Sequence, residues 1–275
     1  MRNIEFTKMV AAGNDFVVIG SKLNIPESKL KEFSRNICDR KYGVGADGLL
    51  LIGKSKNADV RMRIFNADGS EAEMCGNGAR CAAFYASGAV KNVKLETKAG
   101  IIESKINDNS VKIKLTDPKN IKLNIRLQVN DRNLKVNFIN TGVPHTVIFV
   151  EGLDKIDVDS IGRSTRYHQK FQPAGTNVNF VEIINDDFIK VRTYERGVEA
   201  ETLACGTGGA ASAIIAGFRA QKTDDRGQKI ENRIIRVKTK GGEILKVFFN
   251  KANAKVSDVW LEGLAKIVYK GGYYV

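Results

Sequence analysis

The sequence predicts an α+β protein of two pseudo-symmetric domains, each a mainly antiparallel β-sheet or barrel wrapped around a central α-helix. Three observations predict this class: a motif carrying a cysteine occurs twice, apolar and polar residues alternate along many short segments, and an alanine-rich apolar segment follows each cysteine. The chain has 275 residues, of which 43% are hydrophobic and 27% charged, with only 4 prolines. This composition is typical of a globular protein with a packed core, and it excludes a disordered or fibrous chain.

The repeat is centred on Cys75 and Cys205, which lie 130 positions apart. Cys75 follows Arg63 by 12 residues, Cys205 follows Arg192 by 13 residues, and Gly-x-Gly comes directly after each cysteine. Three further pairs of segments match: 93–100 with 235–242, 110–115 with 256–261 and, more loosely, 13–18 with 178–182. Similarity of this extent indicates a duplicated domain.

Strands and helices follow from the period of the apolar residues. The predicted strands are Asp59–Phe65, Val111–Leu115, Lys135–Ile139, Asn177–Ile184, Phe188–Tyr194 and Arg233–Thr239. Central helices are predicted at Gly78–Ala86 and Gly208–Ala220, with Gly88 placed where the first helix ends. Because both helices are apolar nearly all round, each is expected to be buried inside its own half.

Turn signals predict the boundary between the halves. Asp117-Pro118 ends a strand, and the polar run 130–133 is typical of a turn. We therefore expect an N-terminal half at 1–120 and a C-terminal half at 121–262, each carrying one of the two cysteines. Residues 263–275 would form a final strand that returns to the N-terminal half, and two similar halves are expected to enclose a ligand cleft.

The net charge of +13 raises the question of a nucleic-acid partner. No run of five basic residues occurs, and the lysines alternate with apolar residues, as in Val111–Leu115. This pattern places charge on the solvent faces of strands, so no nucleic-acid partner is expected. No segment approaches 18 consecutive apolar residues and the N-terminus lacks the apolar stretch of a signal peptide, so we expect no membrane partner and a cytoplasmic location.

A cysteine followed by Gly-x-Gly at the start of a helix can be chemically active. The glycines leave backbone N–H groups uncovered, and the positive end of the helix favours a bound anion and favours thiolate over thiol. Two such thiols suggest one reaction: one removes a proton from a carbon next to a carboxylate, and the other returns a proton to the opposite face. Cys38 and Cys81 are expected to be ordinary buried side chains.

Cofactor and metal chemistry find little support in the sequence. We find no glycine fingerprint of a dinucleotide-binding fold, no phosphate loop ending in Gly-Lys-Ser/Thr, and no convincing lysine for pyridoxal phosphate. Cys75, Cys81, Cys205 and His145 lack the paired spacing of zinc ligands. We therefore expect no cofactor and no metal ion.

The motifs taken together resemble the diaminopimelate epimerase family. They run in order across nearly the whole chain: Gly13 to Phe16, Gly43 to Gly48, Phe65 to Ser70, Met74 to Arg80, Pro144-His145, Asn177 to Phe180, Tyr194 to Gly197 and Ala204 to Gly208. The resemblance implies a fold of two pseudo-symmetric halves. It also implies that the enzyme interconverts L,L- and meso-diaminopimelate without a cofactor, on the route to lysine and peptidoglycan.

The resemblance also assigns roles to the residues that match the family's motifs. It implies that Cys75 and Cys205 are the acid/base pair and that His145 and Glu195 tune the pKa of the thiols. The implied substrate-binding residues are Asn14, Asn66, Gly76, Asn77, Asn179, Glu195, Arg196, Gly206 and Thr207. In this set, the backbone of Gly76-Asn77 and Gly206-Thr207 would hold the reacting carboxylate.

Two other function classes remain open on the sequence. A proline or hydroxyproline racemase would use the same two cysteines, but Glu195-Arg196 favours a substrate with a second charged end. A thiol redox protein or peroxidase would also use reactive cysteines, and it would form a disulfide during turnover. The aromatic tail 269–275 is either an interface that makes the protein a homodimer or a final packed strand.

Overall fold

A computed structural model describes residues 2–20, 25–219, 230–253 and 255–275, with side chains in the third range described from residue 232. The chain separates into two compact units: the first comprises Met1–Ile113 and Glu262–Val275, and the second comprises Lys114–Leu261. Within the described ranges, no helix is both long and apolar enough to cross a membrane.

Both units consist mainly of strands, with a few helices between them. The strands are β1 (Asn3–Ala11), β2 (Asn14–Ile19), β3 (Gly48–Gly53), β4 (Val60–Asn66), β5 (Glu71–Ala72), β6 (Asn92–Thr97), β7 (Gly100–Asn107), β8 (Ser110–Lys114), β9 (Lys119–Val129), β10 (Arg132–Asn140), β11 (Pro144–Phe149), β12 (Asn177–Asn185), β13 (Phe188–Glu195), β14 (Ala200–Thr202), β15 (Ile230–Lys238), β16 (Ile244–Ala252), β17 (Lys255–Leu264) and β18 (Lys266–Tyr274). The α-helices are α1 (Leu30–Cys38), α2 (Gly76–Ser87), α3 (Val158–Arg166) and α4 (Gly206–Arg219). This mixed composition confirms the predicted α+β class.

The first unit wraps its strands around α2. Strand β1 pairs antiparallel with β2 and with β18, and β2 runs parallel to β3. Strand β4 pairs antiparallel with β3 and β5 and parallel with β6, which in turn pairs antiparallel with β7. Helix α2 packs against β1, β2, β3, β4, β6 and β7, so strands surround it as predicted.

The second unit repeats this connectivity. Strand β10 pairs antiparallel with β11 and β9, β11 runs parallel to β12, and β13 pairs antiparallel with β12 and β14 and parallel with β15. Helix α4 packs against β10, β11, β12, β13, β15 and β16. Each element of the first unit from β1 to β7 therefore has a counterpart in the second unit between β10 and β16.

Each unit also has a second apolar core on the side of its smaller helix. Helix α1 buries Leu30, Phe33 and Ile37, whose spacing places them on one face, against residues of β2, β3 and β4. Helix α3 packs against β12 and β13 in the same way, with Val158 in a core that includes Phe180 and Tyr194. These cores hold the strands on which the central helices rest.

All six predicted strands are present, and their observed bounds differ by no more than three residues at either end. The turn predicted at 130–133 is shorter in the structure: Asn130 and Asp131, both with positive φ, form a tight hairpin turn, and Arg132 already begins β10. Strand β9 was not predicted, because its side chains are exposed on both faces over most of its length and show no clean alternation.

The predicted helix starts were wrong by two residues. Helix α2 begins at Gly76 rather than Gly78, and α4 begins at Gly206 rather than Gly208, because the glycines lie inside the first helical turn. Helix α4 extends through Arg219 in the described residues, and the predicted final residue, Ala220, lies outside them. Both helices are largely buried, as predicted, and so are Cys38 and Cys81.

The loose match of 13–18 with 178–182 was also wrong. Residues 14–19 form β2, which pairs with the first strand of its unit, whereas residues 177–185 form β12, which is the counterpart of β3. The counterpart of β2 is β11, which carries His145. The similarity of the two short motifs therefore does not reflect equivalent places in the fold.

Candidate active site

Cys75 lies directly before α2 and caps it. Its backbone is extended, with φ −141° and ψ 124°, and its carbonyl oxygen accepts the N–H of Ala79 at 2.8 Å. The half-buried Sγ accepts the N–H of Gly78 at 3.5 Å. The thiol therefore lies where the first N–H groups of the helix lack helical partners, and this positive end favours a thiolate.

Cys205 holds the equivalent position before α4. Its carbonyl oxygen accepts the N–H of Gly209, four residues later, at 2.8 Å, and this bond is equivalent to the one from Ala79 to Cys75. Its half-buried Sγ lies 3.5 Å from Oγ1 of Thr207. The duplicated motif thus places a cysteine at the start of the central helix in each unit.

The first turn of each central helix rests on two side chains from neighbouring strands, which we call its floor. In the first unit the floor consists of Leu50 and Ile64, which lie directly opposite each other on β3 and β4. A Cβ atom added to Gly78 would lie 3.2 Å from a methyl group of each. This floor is buried and entirely apolar.

In the second unit the floor consists of Asn179 and Thr193, which lie opposite each other on β12 and β13. A Cβ atom added to Gly208 would overlap Oδ1 of Asn179 and would lie 3.2 Å from Sγ of Cys205. This glycine is therefore required by the close approach of helix, amide and thiol.

The Asn179 amide is fully buried and hydrogen bonded on both sides. Its Oδ1 accepts the hydroxyl of Thr193 at 3.0 Å, and its Nδ2 donates to the carbonyl oxygen of Thr146 at 3.2 Å. Nδ2 also lies 3.2 Å from Nδ1 of His145. Because the Thr146 carbonyl can only accept, Nδ2 must face it, so Nδ1 of His145 accepts as well and the neutral ring carries its proton on Nε2.

His145 is a buried, neutral imidazole. Burial, and to a smaller extent the positive charge of Arg196, lowers its pKa to about 3. Among the described residues, no hydrogen-bonding group lies within reach of its Nε2. His145 therefore carries no charge at neutral pH and acts on its surroundings through hydrogen bonding alone.

Glu195 and Arg196 lie side by side at the end of β13. Burial raises the pKa of the Glu195 carboxyl above its usual value. The backbone N–H of Arg196 donates to Oδ1 of Asn177 at 2.8 Å, and its Nη1 donates to the carbonyl oxygen of Ala174 at 3.0 Å. One edge of the guanidinium is thus used to hold it in place.

The predicted asparagines of the first unit differ in their surroundings. Asn14 begins β2 and is half-buried, and its Oδ1 accepts Nδ2 of the buried Asn77 at 2.5 Å. Asn66 ends β4 and is exposed, with its Nδ2 donating to Oγ of Ser70 at 2.9 Å. Asn66 is the counterpart of Glu195, because each ends the strand that carries the repeated arginine, three residues after it.

The structure groups the predicted residues within each unit. Asn14 and Asn77 lie together beside the start of α2, and His145 and Asn179 lie together beneath the start of α4. Sequence reasoning missed Thr146, Thr193 and Asp47, although the position of Thr193 directly after the repeated arginine was a usable signal. Across the described ranges, no three His, Cys, Asp or Glu side chains are grouped closely enough to hold a metal ion.

Known proteins match the chain over nearly its full length. The sequence profile of the family described as "Diaminopimelate epimerase" matches residues 6–121 and 137–259. A relative named diaminopimelate epimerase from Aquifex aeolicus is 44% identical over 282 residues, covering 98% of this chain and 97% of the relative. One of the same name from Methanocella arvoryzae is 42% identical, covering 98% and 97%.

Solved structures share the fold at low sequence identity. A PhzF-family phenazine biosynthesis protein from Bacillus anthracis superposes with a TM-score of 0.74 at 18% identity, covering 100% of both chains. A hydroxyproline epimerase from Agrobacterium vitis, solved with trans-4-hydroxy-L-proline bound, gives 0.64 at 15% identity, covering 99% of this chain and 91% of the other. At such identities the likeness concerns the fold alone.

Proposed function

The chain belongs to the diaminopimelate epimerase family and is an isomerase, and we infer its mechanism from that premise. We propose that Cys75 and Cys205 invert the α-carbon of diaminopimelate by a two-base mechanism. The L,L and meso forms would interconvert, supplying lysine biosynthesis and peptidoglycan precursors. The observation that carries the mechanism is the duplicated placement of each thiol at the first turn of a central helix.

In the proposed reaction, one cysteine starts as a thiolate and removes the α-proton. The electron pair left on the carbon is delocalised into the adjacent carboxylate, which the backbone N–H groups of Gly76-Asn77 and Gly206-Thr207 stabilise. The other cysteine starts as a thiol and donates its proton to the opposite face of the planar carbanion. The substrate leaves inverted, and the two thiols have exchanged protonation states.

We assign substrate recognition, mostly at the distal amino acid group, to Asn14, Asn66, Glu195 and Arg196. Asn179, which the resemblance also implies as a contact, is fully buried with its amide hydrogen bonded to Thr193, Thr146 and His145, so we assign it to the support of α4 instead. Arg196 supports this assignment because a guanidinium binds a carboxylate through two parallel hydrogen bonds. Glu195 and amide oxygens can accept from an ammonium group. We further propose that His145 and Glu195 influence the thiols without adding positive charge, since His145 is neutral and burial raises the pKa of Glu195.

Replacement of each thiol separately tests the two-base scheme. We expect Cys75→Ala and Cys205→Ala each to lower the turnover of L,L-diaminopimelate by at least about a hundredfold, because general acid/base groups contribute on that scale. The measurement is inversion of the substrate in deuterium oxide, with deuterium uptake at the α-carbon. Cys38→Ala is the matched control: Cys38 is buried in α1, burial raises its pKa to about 11, and its removal should leave turnover close to wild type.

Turnover within tenfold of wild type in either active-site variant would contradict the scheme. A proline racemase would instead invert L-proline and leave diaminopimelate unchanged. A redox enzyme would require an oxidant, so steady epimerisation in excess dithiothreitol would exclude disulfide formation as part of turnover.

The proposed chemistry also bears on location. Both thiols must stay reduced to act as acid and base, and the cytoplasm maintains that state. We therefore propose a cytoplasmic enzyme with a small-molecule substrate and neither a nucleic-acid nor a membrane partner.

We also propose that two copies associate as a homodimer through β18. Exposed apolar side chains lie on both faces of this strand, among them Ile267, Val268 and Tyr269. Its counterpart, β9, exposes Lys119, Lys122 and Arg126 instead, which discourages association of strand edges. Sedimentation velocity should give a dimer for the wild type and a monomer for Val268→Lys, and a monomeric wild type would contradict this proposal.

A further inference from the structure

A chain of side-chain hydrogen bonds in the first unit contains two of the residues assigned to the substrate site. Nη2 of Arg80 donates to Oδ1 of Asn77 at 2.9 Å, and Nδ2 of Asn77 donates to Oδ1 of Asn14 at 2.5 Å. Nδ2 of Asn14 then donates to Oδ2 of Asp47 at 3.1 Å. In each bond the donor lies on the side of Arg80 and the acceptor on the side of Asp47, so the chain has one direction.

The two ends of this chain fix that direction. A guanidinium can only donate and a carboxylate can only accept. Asn77 must therefore turn its oxygen to Arg80 and its nitrogen to Asn14, and Asn14 must turn its nitrogen to Asp47. If either amide rotated by 180°, two donors or two acceptors would face each other.

The Asp47 carboxylate is itself held from several directions. Nη2 of Arg40 donates to Oδ1 of Asp47 at 2.8 Å and to Oδ1 of Asp15 at 2.8 Å. The backbone N–H of Asp15 donates to Oδ2 of Asp47 at 3.2 Å, and the backbone N–H of Asp47 donates back to Oδ1 of Asp15 at 3.0 Å. Nζ of the buried Lys8 lies 2.7 Å from Oδ2 of Asp15. The carboxylate that faces Asn14 therefore has a defined position.

We propose that Asp47 is a positioning residue that sets the orientation of the Asn14 amide and so decides which of its atoms meets diaminopimelate. The inference rests on the proposed function, in which Asn14 binds the substrate. Once the chain is formed, Asn14 has one N–H on Nδ2 and one lone pair on Oδ1 left for a ligand, each in a fixed place. Asp47 acts through Asn14 and makes no contact with the substrate.

Asp47→Asn tests this role, because an amide can present either an oxygen or an NH₂ group to Asn14. We expect KM for diaminopimelate to rise about fivefold while kcat stays within about twofold, since orientation is lost at a binding residue and not at a thiol. Asp39→Asn is the matched control in the same segment. Oδ1 of Asp39 accepts the backbone N–H groups of Lys41 and Tyr42, which an amide oxygen also accepts, so KM should stay at the wild-type value.

A double-mutant cycle with Asn14→Ala separates positioning from general damage. If Asp47 acts through Asn14, the variant carrying both substitutions has the KM of Asn14→Ala alone. Independent, multiplying increases in KM would overturn the proposal, and so would a wild-type KM in Asp47→Asn. If that variant fails to fold, Asp47→Ser enters the same cycle with the same expectations. An inactive wild type would instead contradict the proposed function, so the two failures are distinguishable.

Discussion

The floors beneath the two central helices differ in chemistry although the backbone around them is duplicated. Beneath α2 the opposed pair is Leu50 and Ile64, and beneath α4 it is Asn179 and Thr193. The difference extends to the adjacent strand, where register places Phe16 in the first unit and His145 in the second. One cysteine therefore stands on an apolar floor and the other on a hydrogen-bonded network.

This comparison shows that duplication has preserved the helix starts and not their support. The Gly-x-Gly turn and the cysteine before it are the same in both units, and in both the carbonyl oxygen of the cysteine accepts an N–H of the first helical turn. The floor side chains have diverged because each floor needs only to be internally consistent: methyl groups pack against methyl groups, and buried polar groups pair with one another. The two thiols consequently lie in different surroundings.

Single substitutions that place a residue of one floor in the other should cause the largest loss of stability. In Asn179→Leu the Thr193 hydroxyl and the Thr146 carbonyl lose their partner, and in Leu50→Asn an amide is buried among methyl groups. We expect each variant to lose about 3 kcal/mol of unfolding free energy, since each leaves buried polar groups unpaired. Urea denaturation measures the loss. Ile183→Asn, at an exposed position of the same strand as Asn179, should change stability by less than about 0.5 kcal/mol.

If Asn179→Leu and Leu50→Asn lose no more unfolding free energy than Ile183→Asn, the two floors are interchangeable. In that case the chemistry of the floor would be incidental, and the difference between the units would have to lie elsewhere.

Acidification should cause a smaller loss of stability, which arises from His145 in the second unit and has no equivalent at Phe16 in the first. Its pKa is about 3 in the folded protein and about 6.5 when unfolded, so below pH 6.5 the unfolded chain binds a proton that the folded chain does not. Above pH 7 this difference in proton binding does not affect the unfolding free energy. As the pH falls it lowers the unfolding free energy, by about 2 kcal/mol at pH 5. His145→Phe, which introduces the side chain of its counterpart Phe16, removes it.

The test of this expectation is the difference between the wild-type and His145→Phe stability curves from pH 8 to pH 4.5. A constant offset reflects the lost hydrogen bond to Asn179, whereas a growing difference below pH 6.5 reflects the proton. Parallel curves over the whole range would mean that His145 is protonated in the folded protein, contrary to its burial.

The sequence was sufficient for those features that repeat or alternate. The duplicated motif identified both cysteines, and alternation identified strands such as β12 and β13. The floors could not be predicted, because they depend on which residues of different strands lie opposite each other, and short motifs around Asn14 and Asn179 suggested a false equivalence. The bond from Asn14 to Asp47 was hidden for the same reason, since it joins segments 33 residues apart.

A salt-bridge cluster of one arginine, one glutamate and one lysine occurs in both units. Arg63 donates through Nε and Nη2 to both oxygens of Glu71, at 2.8 and 3.0 Å, and Lys98 approaches the same carboxylate at 2.6 Å. Arg192, Glu201 and Lys240 repeat this arrangement at 2.6, 2.8 and 3.1 Å. Each glutamate lies four residues before the cysteine of its unit, so the cluster anchors the segment that leads to the thiol.

Glu71→Gln and Glu201→Gln should therefore have the smallest and most nearly equal effects. An amide keeps one acceptor and loses the charge, so each variant should lose about 1 kcal/mol of unfolding free energy at pH 7. Pairing with arginine lowers the pKa of both carboxyls, so this stabilisation is present at neutral pH and is lost on acidification. The measurement is urea denaturation of both variants at pH 7. If the losses of the two variants differ by more than about 1 kcal/mol, the same hydrogen bonds support the two thiols unequally. The two units would then have diverged in these salt-bridge clusters as well as in the floors.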